Sequence, residues 1–181
     1  MRALVVFESM YGNTRVIAGN IADGLRASHE VTVVPLAGAT RELTATADLL
    51  VVGGPTHMHG MSNAASRTMA AETARKEGSG LTMDRDADGP GLREWLNGIG
   101  DRHGPAAAFD TRINGVPAFT GRASRGIAKL LRQHGYALLT APESFLIGKH
   151  NTLLDGEDTR ARSWGSALGT AASNAYASTH A

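Results

Sequence analysis

Apolar residues occupy every position of Ala3-Leu4-Val5-Val6-Phe7, and the run stops at Glu8. A short unbroken run of this kind reads as a strand buried on both faces. Beyond the polar stretch Ser9 to Thr14, Val16, Ile17, Ile21 and Leu25 recur at helical spacing, which predicts a helix over about 13–27. The alternation then repeats. Further strands are expected at Glu30 to Leu36, Asp48 to Gly54, Pro105 to Phe109 and Tyr136 to Ile147. Between them lie a short helical piece from Thr40 to Thr46 and a helix capped by Ser62 or Asn63 that runs through Met69 to Arg75. A helical pattern follows over 91–98, with Trp95 on its apolar side, and another over 122–134 is closed by Gly135. The last helix opens at Asp155-Gly156-Glu157 and carries Trp164 on its apolar stripe. Its Ala-rich end is expected to fray beyond Ala171.

Five alternations of strand and helix, with no repeat and no linker, predict an α/β fold: a three-layer, doubly wound, five-stranded parallel sheet. One domain over 1–175 and a frayed tail over 176–181 are expected. Ligands on such sheets sit beyond the carboxyl ends of the strands, where the strand order reverses. Three loops meet that end: Ser9–Thr14, Pro55–Ser62 and Asp110–Gly121.

Composition narrows the class. The 181 residues are 42% hydrophobic and 19% charged, as in a soluble globular chain. The absence of cysteine removes disulfide and thiolate chemistry and fits a cytoplasmic setting. A net charge of +1 gives no overall case for nucleic acid or membrane as partner. No apolar run reaches the roughly 20 residues of a spanning helix.

The first loop, Ser9-Met10-Tyr11-Gly12-Asn13-Thr14, offers hydroxyls, an amide and free backbone N–H groups at a helix start. Such a nest takes an anion. It has neither the lysine of the GxxxxGK[ST] nucleotide loop nor three spaced glycines, and it suits a single phosphate monoester. An ordinary capped strand–helix turn is the structural alternative. The second loop, Pro55-Thr56-His57-Met58-His59-Gly60, supplies flat and polarizable side chains beside flexible backbone, which can flank a planar ring.

On these two stretches the chain resembles the flavodoxin-like family. Ser9 to Thr14 resembles its [ST]-x-[ST]-G-x-T phosphate loop, with Tyr11 where a hydroxyl residue normally stands. Gly53-Gly54-Pro55-Thr56 resembles its second, ring-contacting loop. The resemblance implies FMN as cofactor and strand order 2-1-3-4-5, with the phosphate at loop one. It also implies a ring between the second loop and the third, which begins Asp110-Thr111-Arg112. Electron transfer through the flavin then follows, with a redox protein or a small quinone-like acceptor as partner. No catalytic side chain is required, because the cofactor carries the chemistry. Electron-carrier flavodoxins are acidic and sandwich the ring between Trp and Tyr; here the loops offer only His57, Met58, His59 and Phe119. An NAD(P)H-dependent reductase of quinones or similar acceptors is the alternative function. A scaffold that has lost FMN is another.

Four further groups draw attention. His57 and His59 have no third ligand nearby, so they are read as ring neighbours or proton donors rather than metal ligands. Asp84-Arg85-Asp86-Ala87-Asp88-Gly89 begins like a calcium loop, but Trp95 stands where the twelfth-position Glu belongs, so an exposed acidic loop is expected. Arg122, Arg125, Lys129 and Arg132 form a stripe, read as a solvated helix face or as a docking surface for an acidic redox partner or a nucleotide phosphate. Arg112 is either locally paired or close to the ring, where at ~6 Å and an effective dielectric of ~20 it would favour the anionic reduced flavin by roughly 3 kcal/mol before screening.

Overall fold

A computed structural model describes residues 1–179 of the chain. In chain order its elements are β1 (Arg2–Phe7), α1 (Asn13–Leu25), β2 (Glu30–Pro35), a 3-10 turn (Leu36–Gly38), α2 (Arg41–Thr46), β3 (Leu49–His57) and β4 (Gly60–Met61). There follow α3 (Ala64–Arg75), α4 (Leu92–Gly98), β5 (Gly104–Ile113), α5 (Pro117–Thr120), α6 (Ala123–Gln133), β6 (Tyr136–Leu138), β7 (Glu143–Ile147) and α7 (Glu157–Thr179).

The parallel sheet runs β2-β1-β3-β5, and its fifth position is shared by two short strands. β6 pairs with the start of β5 from Gly104↔Tyr136, and β7 pairs with its end from Phe109↔Glu143 to Ile113↔Ile147. The expected single strand over 136–147 is therefore broken. Leu139 still donates to the Ala106 carbonyl at 2.9 Å, but Pro142 has no N–H to continue the ladder. The order matches the expected 2-1-3-4-5. Strand β4 adds a two-residue antiparallel ribbon to β3, with His57 opposite Gly60.

Alternation along β1 divides the core. Ala3, Val5 and Phe7 face a cluster with Ile17, Ile21 and Leu25 of α1 and Leu168 of α7, while Leu4 and Val6 face Leu92, Leu96, Ile127 and Leu131 of α4 and α6. On the first face α1 and α7 touch backbone to backbone. A Cβ on Gly24 would stand 2.0 Å from the Arg162 carbonyl oxygen, and one on Gly165 would stand 2.1 Å from that of Ile21. Phe109, Phe145 and Trp164 pack edge to face beneath the sheet, with centroids 6.0–6.4 Å apart. Trp95 packs on the other face, and its indole N–H donates to the Ala39 carbonyl at 3.2 Å.

Two expectations are corrected. β5 does not stop before Asp110 but continues through Ile113, because β3 and β7 both supply ladder partners there. Segment 77–91 is not simply an exposed loop: Ala87 is buried and the Asp84 side chain is 2% exposed, held by Arg15 of α1. α7 runs to Thr179, and residues 180 and 181 lie outside the described residues.

Candidate functional site

At the carboxyl end of the sheet a cavity of about 370 Å³ opens where β1, β3, β5 and β7 deliver their loops. That volume falls in the range of small-molecule sites. Met10, Tyr11, Asn13 and Thr14 line one side, Pro55 to Met58 another, and Thr111 and Ile113 a third.

The first side is polar by backbone rather than by charge. Gly12, at φ 93°, is the N-cap of α1, and its N–H goes to Ser9 Oγ at 3.2 Å. Among the described residues the N–H groups of Met10, Tyr11, Asn13, Thr14 and Arg15 have no acceptor. These are orphan donors at the positive end of a 13-residue helix. Thr14 and Thr111 share a 2.7 Å hydroxyl–hydroxyl bond, which leaves one of the two protons free for a ligand. Tyr11 does not contribute its hydroxyl to the nest: it donates to the Ala70 carbonyl of α3 at 2.9 Å. Nor does Arg15 offer its charge, since its guanidinium is taken by Asp84 and Asp86 and lies over the Phe7 ring. Asp84 N–H also donates to the Met10 carbonyl at 2.7 Å, so segment 77–91 is fastened across loop one.

The second side is a hairpin turn. Met58 and His59 connect His57 to Gly60 and both have positive φ, 43° and 77°. His57 lines the cavity, and burial holds its pKa below the ordinary imidazole value, so it is neutral at pH 7. His59 and Gly60 lie off the lining; His59 instead bridges Gly121 of the third loop. Gly121 is required there, since at φ 75° a Cβ would sit 2.1 Å from the His59 Cα.

The third side separates Asp110, Thr111 and Arg112 by strand alternation. Thr111 faces the cavity; Asp110 and Arg112 do not line it. Asp110 accepts the Ser124 N–H at the start of α6 at 2.7 Å, and burial raises its pKa. Arg112, 8% exposed, donates to the carbonyls of Ile113 and Gly115 at 3.2 and 2.9 Å and to Thr120 Oγ1 at 3.1 Å. It is a brace for the loop, not a cavity wall. Ser9 and Gly12 likewise shape the nest without lining the cavity.

Beneath these loops Glu8 is buried and ties two segments to β1. It accepts the Ser62 hydroxyl at 2.6 and 2.7 Å and the Leu92 N–H at 3.0 Å. Burial outweighs these bonds and raises its pKa.

Sequence reasoning missed one wall. Ser66, Met69, Ala70 and Thr73 of α3, with Leu81, close the cavity from above, and Lys149 and Asn151 close it beside loop one. Asn13 donates its amide to the Asn151 carbonyl at 2.8 Å and to the Asn151 side-chain oxygen at 3.1 Å. The available signal was the Met69-Ala70-Thr73 spacing on a helix with few other apolar positions.

The flavodoxin family model matches residues 5–163. The chain belongs to the flavodoxin family. FMN is the cofactor of that family. Solved structures share the fold at low identity. An archaeal flavodoxin is 19% identical with a TM-score of 0.66, covering 96% of this chain and 99% of its own. A Streptococcus pneumoniae TIGR4 flavodoxin is 18% identical with a TM-score of 0.64, covering 94% and 99%. The Flv1 flavodiiron core from Synechocystis is 16% identical with a TM-score of 0.64, covering 97% of this chain but 36% of its own. No curated protein sequence matches the chain. The residues present fit FMN at its phosphate end, because a dianion needs the acceptor-less N–H groups that loop one holds open.

Proposed function

We propose that this flavodoxin-family chain binds FMN in the cavity and transfers electrons through it to a separate acceptor. The observation that carries the reading is the set of unpartnered N–H groups of Met10, Tyr11, Asn13, Thr14 and Arg15 beside a cavity of about 370 Å³. In this reading the phosphate is held by those N–H groups and by the Thr14–Thr111 hydroxyl pair. The ring end is flanked by Pro55, Thr56, His57 and Met58 on one side and by the segment after Thr111 on the other. Bound FMN supplies the redox chemistry. The chain's own residues bind it, orient it and keep water from its buried face. His57 lines that wall without adding charge, since burial lowers its pKa. Arg112 acts through the loop that it braces rather than by contact.

A two-electron reductase is favoured by one observation, the extra wall of Met69, Ala70, Thr73 and Leu81. That wall adds apolar surface to the same cavity, against which a second planar molecule could stack. NAD(P)H oxidation in the presence of a quinone separates the two readings: turnover marks the reductase, and its absence marks the carrier. The shared reading is tested by titrating flavin-free protein with FMN and following the quenching of flavin fluorescence. Saturable 1:1 binding, weakened in Thr14→Val, is the expected outcome; no binding to the folded protein would refute it.

A further inference from the structure

Residues 111–142 contain no Asp or Glu, yet they carry Arg112, Arg122, Arg125, Lys129 and Arg132. Arg112 is buried under the third loop; the other four lie on or beside α6, and among the described residues none of the four has a carboxylate partner. Arg125, Lys129 and Arg132 are exposed and repeat at i, i+4 and i+7, so they share one outward face of the helix. Arg122 begins the stripe at the site end, with Nε donating to Ser144 Oγ at 3.0 Å. Lys149, two residues beyond Ile147, borders the loop from the cavity side, and the Ile147 carbonyl accepts the Asn114 N–H at 2.9 Å.

The loop after β5 turns apolar side chains to solvent. Ile113 is 59% exposed, Val116 61% and Phe119 77%, and across the His59–Gly121 bridge Met58 is 72% exposed. The described residues contain eight exposed large hydrophobics, so half of them gather on this single rim. An apolar centre bordered by cations is the layout of a protein-docking face. Loop 113–121 is held in that posture from beneath by Arg112.

We propose that this face docks a redox protein whose own contact surface is acidic. The inference rests on the FMN reading for its purpose but not for its geometry, since the cations and the apolar loop belong to the chain itself. Charge complementarity selects the partner: uncompensated guanidinium and ammonium groups attract carboxylates and repel a basic protein. α6 does not lie in a bilayer as an amphipathic helix, because its apolar side (Ile127, Ala128, Leu131) is buried in the core. The polarity is opposite to what an acidic electron carrier would present, in keeping with the net charge of +1.

The test measures binding of the FMN-loaded chain to four probes: an acidic [2Fe–2S] ferredoxin, a basic c-type cytochrome, phosphatidylserine vesicles and a DNA duplex. The expected result is binding to the ferredoxin that weakens steeply with salt and drops at least ~10-fold in Arg125→Glu/Lys129→Glu/Arg132→Glu. Arg125→Gln/Lys129→Gln/Arg132→Gln falls between, and Phe119→Ser weakens binding without changing its salt dependence. Chemical shifts perturbed by the ferredoxin map to residues 113–132 in both flavin-free and FMN-loaded chains. Preference for the cytochrome, the vesicles or the DNA overturns the proposal, as does ferredoxin binding indifferent to charge reversal. FMN affinity is measured on the same samples. An unsubstituted chain that binds FMN but not the ferredoxin refutes this inference alone, and one that docks the ferredoxin but has no affinity for FMN refutes only the cofactor reading.

Discussion

The turn at Met58-His59 carries a cost that can be removed. A two-residue hairpin loop with both central residues at positive φ is a type I′ turn, which Asn-Gly fits best. Here the φ values are 43° and 77° on side chains that bear a full Cβ. A left-handed residue costs about 1–2 kcal/mol, and histidine sits toward the low end because it visits this region more readily than most. Replacing the pair by Asn-Gly recovers about 2–3 kcal/mol of that strain. The new glycine costs about 0.5–1 kcal/mol through the greater freedom of the unfolded chain. Met58 is 72% exposed, so no burial is lost. The net expectation for Met58→Asn/His59→Gly is a gain of about 1–2 kcal/mol, or a rise in Tm of about 2–8 °C for a chain of this size. Calorimetry on flavin-free protein reads it, with cross-strand NOEs between His57 and Gly60 as the control. An unchanged or lowered Tm with that pairing intact would refute the strain argument. Met58 also lines the cavity, and a simultaneous loss of FMN affinity would mean that the strained turn is kept for the ligand.

Three further outcomes follow from the packing and the charges. Thr14→Val removes a buried hydroxyl bonded to Thr111 at 2.7 Å and is expected to weaken FMN about 5–10-fold, read by fluorescence titration. Gly165→Ala drives a methyl to 2.1 Å from the Ile21 carbonyl oxygen in the α1–α7 contact, and a loss of about 3 kcal/mol or more is expected in urea unfolding. Glu8 has its native pKa raised above the ordinary 4.5, so its unfolded form ionises first as pH rises. Its contribution to stability is therefore full below 4.5 and lost as pH climbs through the native value, and Asp110 acts with the same sign. Glu8→Gln, which keeps an acceptor for Ser62 and Leu92, is expected to flatten the fall in Tm between acid and neutral pH; an unchanged slope would exclude Glu8 as its source.

The sequence by itself determined the strand–helix alternation and the layers, and its resemblance to the flavodoxin-like family supplied the strand order that the sheet shows. Apolar runs of period one and helical stripes of period 3.6 are local properties, and a parallel sheet with right-handed crossovers leaves few ways to assemble them. The anion nest was equally legible, because glycine and hydroxyl residues between a strand and a helix act through backbone that lies next to them in the chain. What only the tertiary structure decided is where the side chains of those loops point. Tyr11 is claimed by Ala70, 59 residues away, and Arg15 by Asp84, 69 residues away, so neither is left for the phosphate. Asp110 and Arg112 turn from the cavity because β3 and β7 extend β5 past its expected end and impose a two-residue alternation on it. The α3 wall is of the same kind: Met69 and Thr73 are ordinary helix residues until the Tyr11 and Asp84 contacts fasten their segment over loop one. Period and turn chemistry are written in neighbouring residues, whereas a hydrogen-bond partner across the fold is chosen only when the chain has closed.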